Sequence, residues 1–299
     1  MQPFQRSQSI EMKMNQTAKL DGKGIFRLFQ HPLGTSVRLI EMLKGLFPQS
    51  KGRIFKDAAD FWKSSRSLQS IRDHSHWLGE GGWANEKRWD EWGKWNYGIF
   101  KKLCSLSGNG RAIKSIAEWG PGGGANAVWF CREVSLYYGI DISEANLNEC
   151  ARQLKARGFE GFQSILIDIE QPEKCLSLIG PPVDFFFSTA VFQHFPNQEY
   201  GWLVTEIAHK MLASEGTALI QVRYDDGSKR FKPKHRDYAK NMSRFNSSKI
   251  HDFWVMAAEI GFTPLALILE PKTCYAYYYL QKIGQDLRQP FSSGGRGER

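Results

Sequence analysis

The 299-residue sequence has no apolar run approaching the roughly 18 to 20 residues that a membrane span requires, so no transmembrane helix is expected. Its first residues, Met1-Gln-Pro-Phe-Gln-Arg-Ser-Gln8, lack the apolar core of a secretory leader, which points to a cytoplasmic protein. Cysteine is scarce. Cys104, Cys131, Cys150, Cys175 and Cys274 are odd in number and scattered, with no Cys-x-x-Cys pair, so neither a disulfide framework nor a zinc site is indicated. Acidic residues are outnumbered by basic ones, 31 to 40, and the formal charge of +9 favours an anionic partner: a phosphorylated small molecule, a nucleic acid or an acidic membrane surface. Plain solvation of the surface is an equally open reading of that charge. The hydrophobic content of 41% suffices for one large α/β domain, alone or with an appendage.

Residues Ser115 to Phe130 read Ser-Ile-Ala-Glu-Trp-Gly-Pro-Gly-Gly-Gly-Ala-Asn-Ala-Val-Trp-Phe: an apolar run, an acid, a glycine cluster and a segment with helical spacing. Strand, tight turn and helix follow from that order. Without Cβ atoms, Gly120, Gly122, Gly123 and Gly124 let the backbone take unusual dihedrals and approach a ligand closely. Phosphate loops and dinucleotide folds also use such turns, so the neighbours must decide. Glu118 ends the first strand, Asp141 ends the next apolar run, and Asp168 closes Phe162-Gln-Ser-Ile-Leu-Ile-Asp168. An acid at the end of a second parallel strand can accept hydrogen bonds from both hydroxyls of a ribose.

Acids ending three successive strands beside one glycine loop resemble the motif series of class I S-adenosylmethionine-dependent methyltransferases. The resemblance spans about Ile113 to Ile283 and rests on the Glu-x-Gly-x-Gly-x-Gly pattern of Glu118 to Gly124, the spacing to Asp141 and the downstream order of elements. It implies S-adenosylmethionine as cofactor. Gly120, Gly122 and Gly124 would bind its methionine end and Glu118 its amino group; Asp141 with Ile142 would hold the ribose, Asp168 with Ile169 the adenine, and Ser188 would complete the set. After the fourth strand comes Ser188-Thr-Ala-Val-Phe-Gln-His-Phe-Pro196, which in such enzymes lies beside the transferred methyl group. It is not the Asn/Asp-Pro-Pro-Tyr/Phe motif of enzymes that methylate planar nitrogens, and it looks like the loop of enzymes that act on small molecules. His194, with a titration range near neutrality, is the candidate general base toward a hydroxyl, and Phe192 a candidate acceptor contact. A helix-capping or packing histidine is the competing reading. No metal site is indicated.

The order of elements predicts a Rossmann-like α/β fold: a seven-stranded, mostly parallel sheet with helices on both faces and an antiparallel last strand, preceded by an aromatic-rich helical extension. Residues 1–50 form a basic extension whose first 24 residues read as disordered and whose Val37 to Phe47 stretch is amphipathic. Residues 51–110 form a helical cap holding six of the ten tryptophans, with a helix from about Asn85 to Cys104 whose inner face carries Trp89, Trp92, Trp95 or Asn96, Phe100 and Leu103. Residues 111–284 are the main domain and 285–299 a tail. The polar stretch Arg72 to Trp83 makes His74, His76 and Trp77 candidate acceptor contacts. Strands are expected at 114–118, 136–140, 164–168, 183–187, 217–222, 265–269 and 275–280. Helices are expected at 125–132, at 143–156 with Gly158 as its stop, at 200–212 with Gly216 as its stop, and at 247–260 before Gly261. The short link from Glu270 to Cys274 allows no crossover helix, so the last two strands must be antiparallel. A basic insertion, 225–246, contains Lys229 and Arg230, which would clamp an anionic acceptor if the insertion is a lid.

These expectations describe a methyltransferase acting on a hydroxyl of a small-molecule or glycan-type acceptor. A nucleic-acid methyltransferase, a non-catalytic cofactor-binding module and a nicotinamide oxidoreductase are the alternatives; Glu118, Asp168 and the closing hairpin speak against the last.

Overall fold

Three consecutive phenylalanines mark the middle of the molecule. In a strand, successive side chains point to opposite faces, so an unbroken apolar run requires cover on both. Strand β4 (Val183–Ser188) meets that requirement. Phe185 and Phe187 pack with Trp89, Phe100 and Phe130 on one side, while Val183 and Phe186 join Val204, Met211 and Tyr278 on the other. All three phenylalanines are fully buried.

The computed structural model of the chain describes residues 48–64, 68–107 and 112–282, and Gln49 onward forms one compact unit. The amphipathic stretch 37–47, the polar start and the tail 289–299 lie outside the described residues. Around β4 run β1 (Ser115–Trp119), β2 (Leu136–Asp141), β3 (Phe162–Leu166), β5 (Leu212–Arg223), β6 (Phe262–Glu270) and β7 (Tyr275–Lys282). They form one seven-stranded sheet in the order β3-β2-β1-β4-β5-β7-β6. Pairs β1/β2, β1/β4, β2/β3 and β4/β5 are parallel, whereas β7 runs antiparallel to both β5 and β6. The strand order reverses between β1 and β4, and in an open α/β sheet that reversal leaves a crevice at the carboxyl ends of the strands.

Among the described residues, three α-helices precede the sheet: α1 (Lys51–Lys63), α2 (Leu68–His74) and α3 (Glu86–Ser107). The following helices are α4 (Ala127–Phe130), α5 (Glu144–Lys155), α6 (Gln198–Met211), α7 (Tyr238–Asn241) and α8 (Ile250–Ile260). Sequence signals fix several ends. Ser143 caps α5 by accepting from the Asn146 amide, and Gly261 ends α8 in a left-handed conformation at φ 114°. Among the described residues, no helix is long and apolar enough to cross a membrane, and no group of three or more His, Cys, Asp or Glu side chains is arranged to hold a metal ion.

Three local expectations are corrected and one open alternative, Trp95 or Asn96, is decided. The helix after the glycine turn is a single α-turn, 127–130, followed by a 3-10 turn over 131–133. Gly216 does not stop α6: the chain turns extended at Leu212 and enters β5 directly, and Gly216 falls where the pairing with β4 skips from Leu212 to Thr217. Trp95 is 60% exposed, and Asn96 takes the inward position beside Trp89, Phe100 and Leu103. Strand β3 ends at Leu166, two residues before Asp168.

Helix α3 lies against the turn that leads out of the glycine loop. A Cβ on Gly93 would collide with the Ala125 carbonyl and press on the Trp129 ring. Alanine is the better helix former, by about 1 kcal/mol in an open helix. Gly93→Ala is therefore expected to reverse the sign of that preference and destabilise the fold by about 1 to 3 kcal/mol, read as a lowered midpoint in chemical denaturation at unchanged slope.

Candidate active site

A cleft lies across the carboxyl ends of β1, β2 and β4, with about 780 Å3 of open space when the solvent at its mouth is included. Its floor is the glycine turn after β1. Gly120 and Gly122 sit at φ 74° and 53°, in the left-handed region, and line the cleft with Pro121 between them. The turn is also crowded from outside. A Cβ on Gly122 would strike the Ser75 carbonyl, and that carbonyl accepts from the Gly123 amide at 2.6 Å. The segment after α2 is thereby fastened to the glycine loop, and His74, Ser75 and His76 line the cleft opposite the sheet.

Asp141 and Ile142, at the end of β2, form the next part of the wall. Oδ1 of Asp141 accepts from the Ser143 amide at 2.8 Å, and Oδ2 accepts from Asn146 Nδ2 at 3.2 Å. The same Asn146 amide group donates to Ser75 Oγ at 3.1 Å, and Asn146 Oδ1 accepts from Trp77 Nε1 at 2.9 Å. Burial pushes the Asp141 carboxyl up to about 6, against the lowering effect of those hydrogen bonds.

Glu118 sits beneath the loop, fully buried, and does not reach the cleft wall. Its Oε2 accepts from Tyr137 Oη at 2.7 Å and its Oε1 from Asn126 Nδ2 at 3.1 Å. Asn126 does line the cleft; it also donates to Thr189 Oγ1 at 3.0 Å and accepts from Asn96 Nδ2 at 2.9 Å. Glu118 acts on the cleft through Asn126. Desolvation raises the Glu118 carboxyl to about 7, with the Asp141 charge adding to the rise.

The far wall is the loop after β4. Thr189, Ala190, Val191 and His194 line it, and Ala190 is held at φ 57°, a strained position for a residue with a side chain, while its amide donates to Gln221 Oε1. His194 Nδ1 donates to the Met242 carbonyl at 2.8 Å, since a carbonyl can only accept. That bond leaves Nε2 with the lone pair, and Gln193 Nε2 donates to it at 3.2 Å. Burial drives the imidazole down to about 3, helped by the nearby His74 ring, so the near-neutral titration expected from its residue type is absent. His76, wedged between Trp83 and Trp92 with ring centroids at 4.2 and 5.0 Å, is lowered to about 3 chiefly by the same cause.

The structure thus brings together eight of the residues singled out in the sequence: His74, His76, Gly120, Gly122, Asp141, Ile142, Ile169 and His194. The other eight do not line the cleft. Ser188 turns its hydroxyl to the Trp119 carbonyl, Trp77 is spent on Asn146, and Phe192 packs between Phe195 and Phe253. Gly124 packs on Cys150, Glu118 stands behind Asn126, and the exposed Asp168 caps the Glu170 amide at 3.0 Å. Lys229 and Arg230 are exposed, with the Arg230 guanidinium over the Phe231 ring. Around them the insertion is well packed: Phe231, Tyr238, Met242 and Phe245 are buried, and the amides of Phe245 and Asn246 donate to the Gln193 carbonyl. Residues missed in the sequence include Trp62, Ser75, Asn126, Thr189 and Tyr238, none of which belongs to a recognisable local pattern.

Residues 117–220 match the protein family described as methyltransferase domain. No curated protein sequence matches the chain. Among solved structures, the chain is similar to magnesium protoporphyrin IX methyltransferase from Synechocystis PCC 6803 with bound SAH, at 13% identity over 77% of this chain and 99% of that one, with a TM-score of 0.51. It is also similar to an S-adenosylmethionine-dependent methyltransferase from Clostridium acetobutylicum, at 13% identity over 67% and 93% of the two chains and a TM-score of 0.50. A further likeness, to the methyltransferase SibL, has 15% identity and a TM-score of 0.44, and covers 57% of this chain but only about half, 51%, of that one. Such identities speak to the fold.

The buried carboxyl of Glu118 gives a signed expectation. Its folded value, about 7, lies above its ordinary value of 4.5, so the native state binds the proton more tightly than the unfolded chain. Stability should therefore fall as pH rises from about 4.5 through 7. Glu118→Gln is expected to flatten that fall, read as a smaller drop in melting temperature between pH 5.5 and 8 than the native chain shows.

Proposed function

We propose that this chain, which carries a class I S-adenosylmethionine-dependent methyltransferase domain, transfers the cofactor's methyl group to a hydroxyl of a small-molecule or glycan-type acceptor. The match of residues 117–220 to the methyltransferase-domain family supports the activity, and S-adenosylmethionine is the cofactor in this reading. The observation that supports the finer reading is the convergence of the glycine turn, the Asp141 carboxylate and the Nε2 lone pair of His194 on one cleft. In this reading Asp141 and Ile142 hold the ribose and Ile169 covers the adenine. Asn126, backed by the Glu118 carboxylate, meets the amino group of the methionine end.

Methyl transfer from a sulfonium is an in-line displacement: the oxygen attacks the methyl carbon as the carbon–sulfur bond breaks. Positive charge leaves sulfur, and a hydroxyl acceptor must lose a proton. Alignment and exclusion of water carry most of the acceleration. A strong base is not required, because the hydroxyl becomes far more acidic as its lone pair goes into the new oxygen–carbon bond. Neutral His194, fixed in one tautomer by Met242, receives the proton at Nε2 in the same step. No Lys or Arg lines the cleft among the described residues, so the basic excess lies outside it. An anionic acceptor would find no lysine or arginine in the cleft itself, and Lys229 and Arg230 of the insertion are exposed and do not line it.

Asp141→Ala is expected to weaken S-adenosylhomocysteine binding at least about tenfold in titration calorimetry, because it removes a charged acceptor of two hydrogen bonds. Unchanged affinity would remove Asp141 from the cofactor site. Binding of S-adenosylmethionine by the native protein should tighten as pH rises from 5.5 to 8, since Asp141 and Glu118 must ionise to receive the ribose hydroxyls and the ammonium. His194→Ala is expected to lower kcat while leaving that affinity unchanged, and the native rate should show no histidine titration near 6.5.

A further inference from the structure

The part of the cleft beyond β4 is made only in part by the segment that matches the methyltransferase family: His194 lies within it, and three aromatic side chains come from outside. Trp62 comes from α1, His74 from the end of α2 and Tyr238 from α7 in the insertion, and all three gather around His194. The Trp62 ring stands edge-on to His194 with centroids 5.1 Å apart, and the His74 ring lies 6.4 Å from His194. Trp62 Nε1 donates to Tyr238 Oη at 2.8 Å, and Tyr238 Oη donates to the His194 carbonyl at 2.5 Å. This chain of bonds ties α1, the insertion and the loop after β4 into one rigid wall.

The chemistry of that wall is unusual for a site open to solvent. It holds no Lys, Arg, Asp or Glu, and its polar atoms are mostly committed to one another. The capacity left for a ligand is small: the ring nitrogens of His74, which make no hydrogen bond among the described residues, and the Nε2 lone pair of His194, which an acceptor hydroxyl reaches by displacing the Gln193 amide that donates to it. Both imidazoles are held toward their neutral forms, by burial first of all. An anion would find no lysine or arginine in the wall; the Arg223 charge acts on His194 from outside it, with the guanidinium held by the Thr273 carbonyl and the Tyr275 hydroxyl. A sugar would bring several hydroxyls and find partners for two, leaving the rest stripped of water. A flat apolar body carrying one or two hydroxyls matches both the indole and tyrosine faces and the polar atoms available.

We propose that Trp62, His74, His194 and Tyr238 form an acceptor subsite for an uncharged phenol or catechol. The aromatic ring packs against Trp62 and Tyr238, the reacting hydroxyl hydrogen-bonds to His194 Nε2, and a neighbouring hydroxyl, where there is one, meets His74. The phenol oxygen bonds to the methyl carbon, the carbon–sulfur bond breaks to leave a neutral thioether, and the phenolic proton passes to His194 Nε2. The products are an aryl methyl ether and an imidazolium, which then returns its proton to water. This proposal rests on the methyltransferase reading above and narrows its acceptor class.

The test measures two things on the full chain: S-adenosylhomocysteine binding by calorimetry, and transfer of labelled methyl groups to a panel of simple phenols and catechols, their phosphate and carboxylate counterparts, and a hexose. Uncharged phenols should be methylated with at least about tenfold higher kcat/KM than their anionic counterparts or the hexose. Trp62→Ala should raise the phenol KM about tenfold with binding of S-adenosylhomocysteine unchanged, and Trp62→Phe should recover part of the loss by restoring a ring. His74→Phe should erase a preference for catechols over single phenols. Binding of S-adenosylhomocysteine together with a preference for the hexose or an anionic acceptor, or with no transfer to any phenol, overturns the subsite. Failure to bind S-adenosylhomocysteine overturns the cofactor reading instead, and the subsite falls with it. Should Trp62→Ala fail to fold, the acceptor panel on the native chain and Tyr238→Phe decide in its place.

Discussion

The contact between the Ser75 carbonyl and the Gly123 amide organises this site, because it joins the helical cap to the glycine loop through backbone alone. Only glycine permits it. With a side chain on Gly122 or Gly123 the loop would meet the Ser75 or His76 carbonyl, and the cap would have to lift away. Asn146 adds a second tie, since one side chain holds Ser75, Trp77 and Asp141 together. Trp89 Nε1 adds a third through the His76 carbonyl, with His76 at a strained φ of 57°. The cap and the loop are therefore one structure, and the orientation of Asp141 depends on residues nearly seventy positions before it.

Beneath the loop lies an expensive arrangement. A carboxylate with no exposure is costly unless its oxygens are bonded, and Glu118 satisfies both of its own with Tyr137 and Asn126. Those two bonds do not cancel the burial, which is why its carboxyl stays near 7. A group poised in this way is sensitive to any cation brought to Asn126, because an arriving ammonium favours the ionised form. On the proposed reading, the stability lost to the buried acid is regained when the positively charged end of the cofactor arrives, so the residue that weakens the fold would sharpen the preference for a zwitterionic ligand.

The fold was legible in the sequence because its signals are local. The triple phenylalanine of β4, the cap at Ser143, the stop at Gly261 and the short link before β7 each speak through one or two residues. The part of the cleft proposed for the cofactor was partly legible for a related reason: an acid at a strand end is placed by the strand itself, as Asp141 is at the end of β2. Asp168 falls outside the cleft wall because β3 ends two residues earlier than the apolar run suggests, and its carboxylate caps the Glu170 amide. The four glycines were read as making room for a ligand, yet Gly122 and Gly123 make room for the chain's own cap.

The proposed acceptor half was legible only at its two histidines, His74 and His194. Trp62 and Tyr238 are separated by 176 positions, and no spacing relates them to each other or to the histidines. Each of the two by itself looks like an ordinary core aromatic. What makes them a site is the commitment of their polar atoms: Tyr238 both accepts from Trp62 and donates to His194, and Met242 fixes which nitrogen of His194 carries the proton. The insertion that supplies Tyr238 and Met242 drew attention in the sequence for its charge, which it turns to solvent at Lys229 and Arg230, while its buried aromatics shape the cleft. Charge is visible in a sequence and hydrogen-bond commitment is not. A segment can therefore advertise one partner by composition and select another by the few atoms it leaves uncommitted.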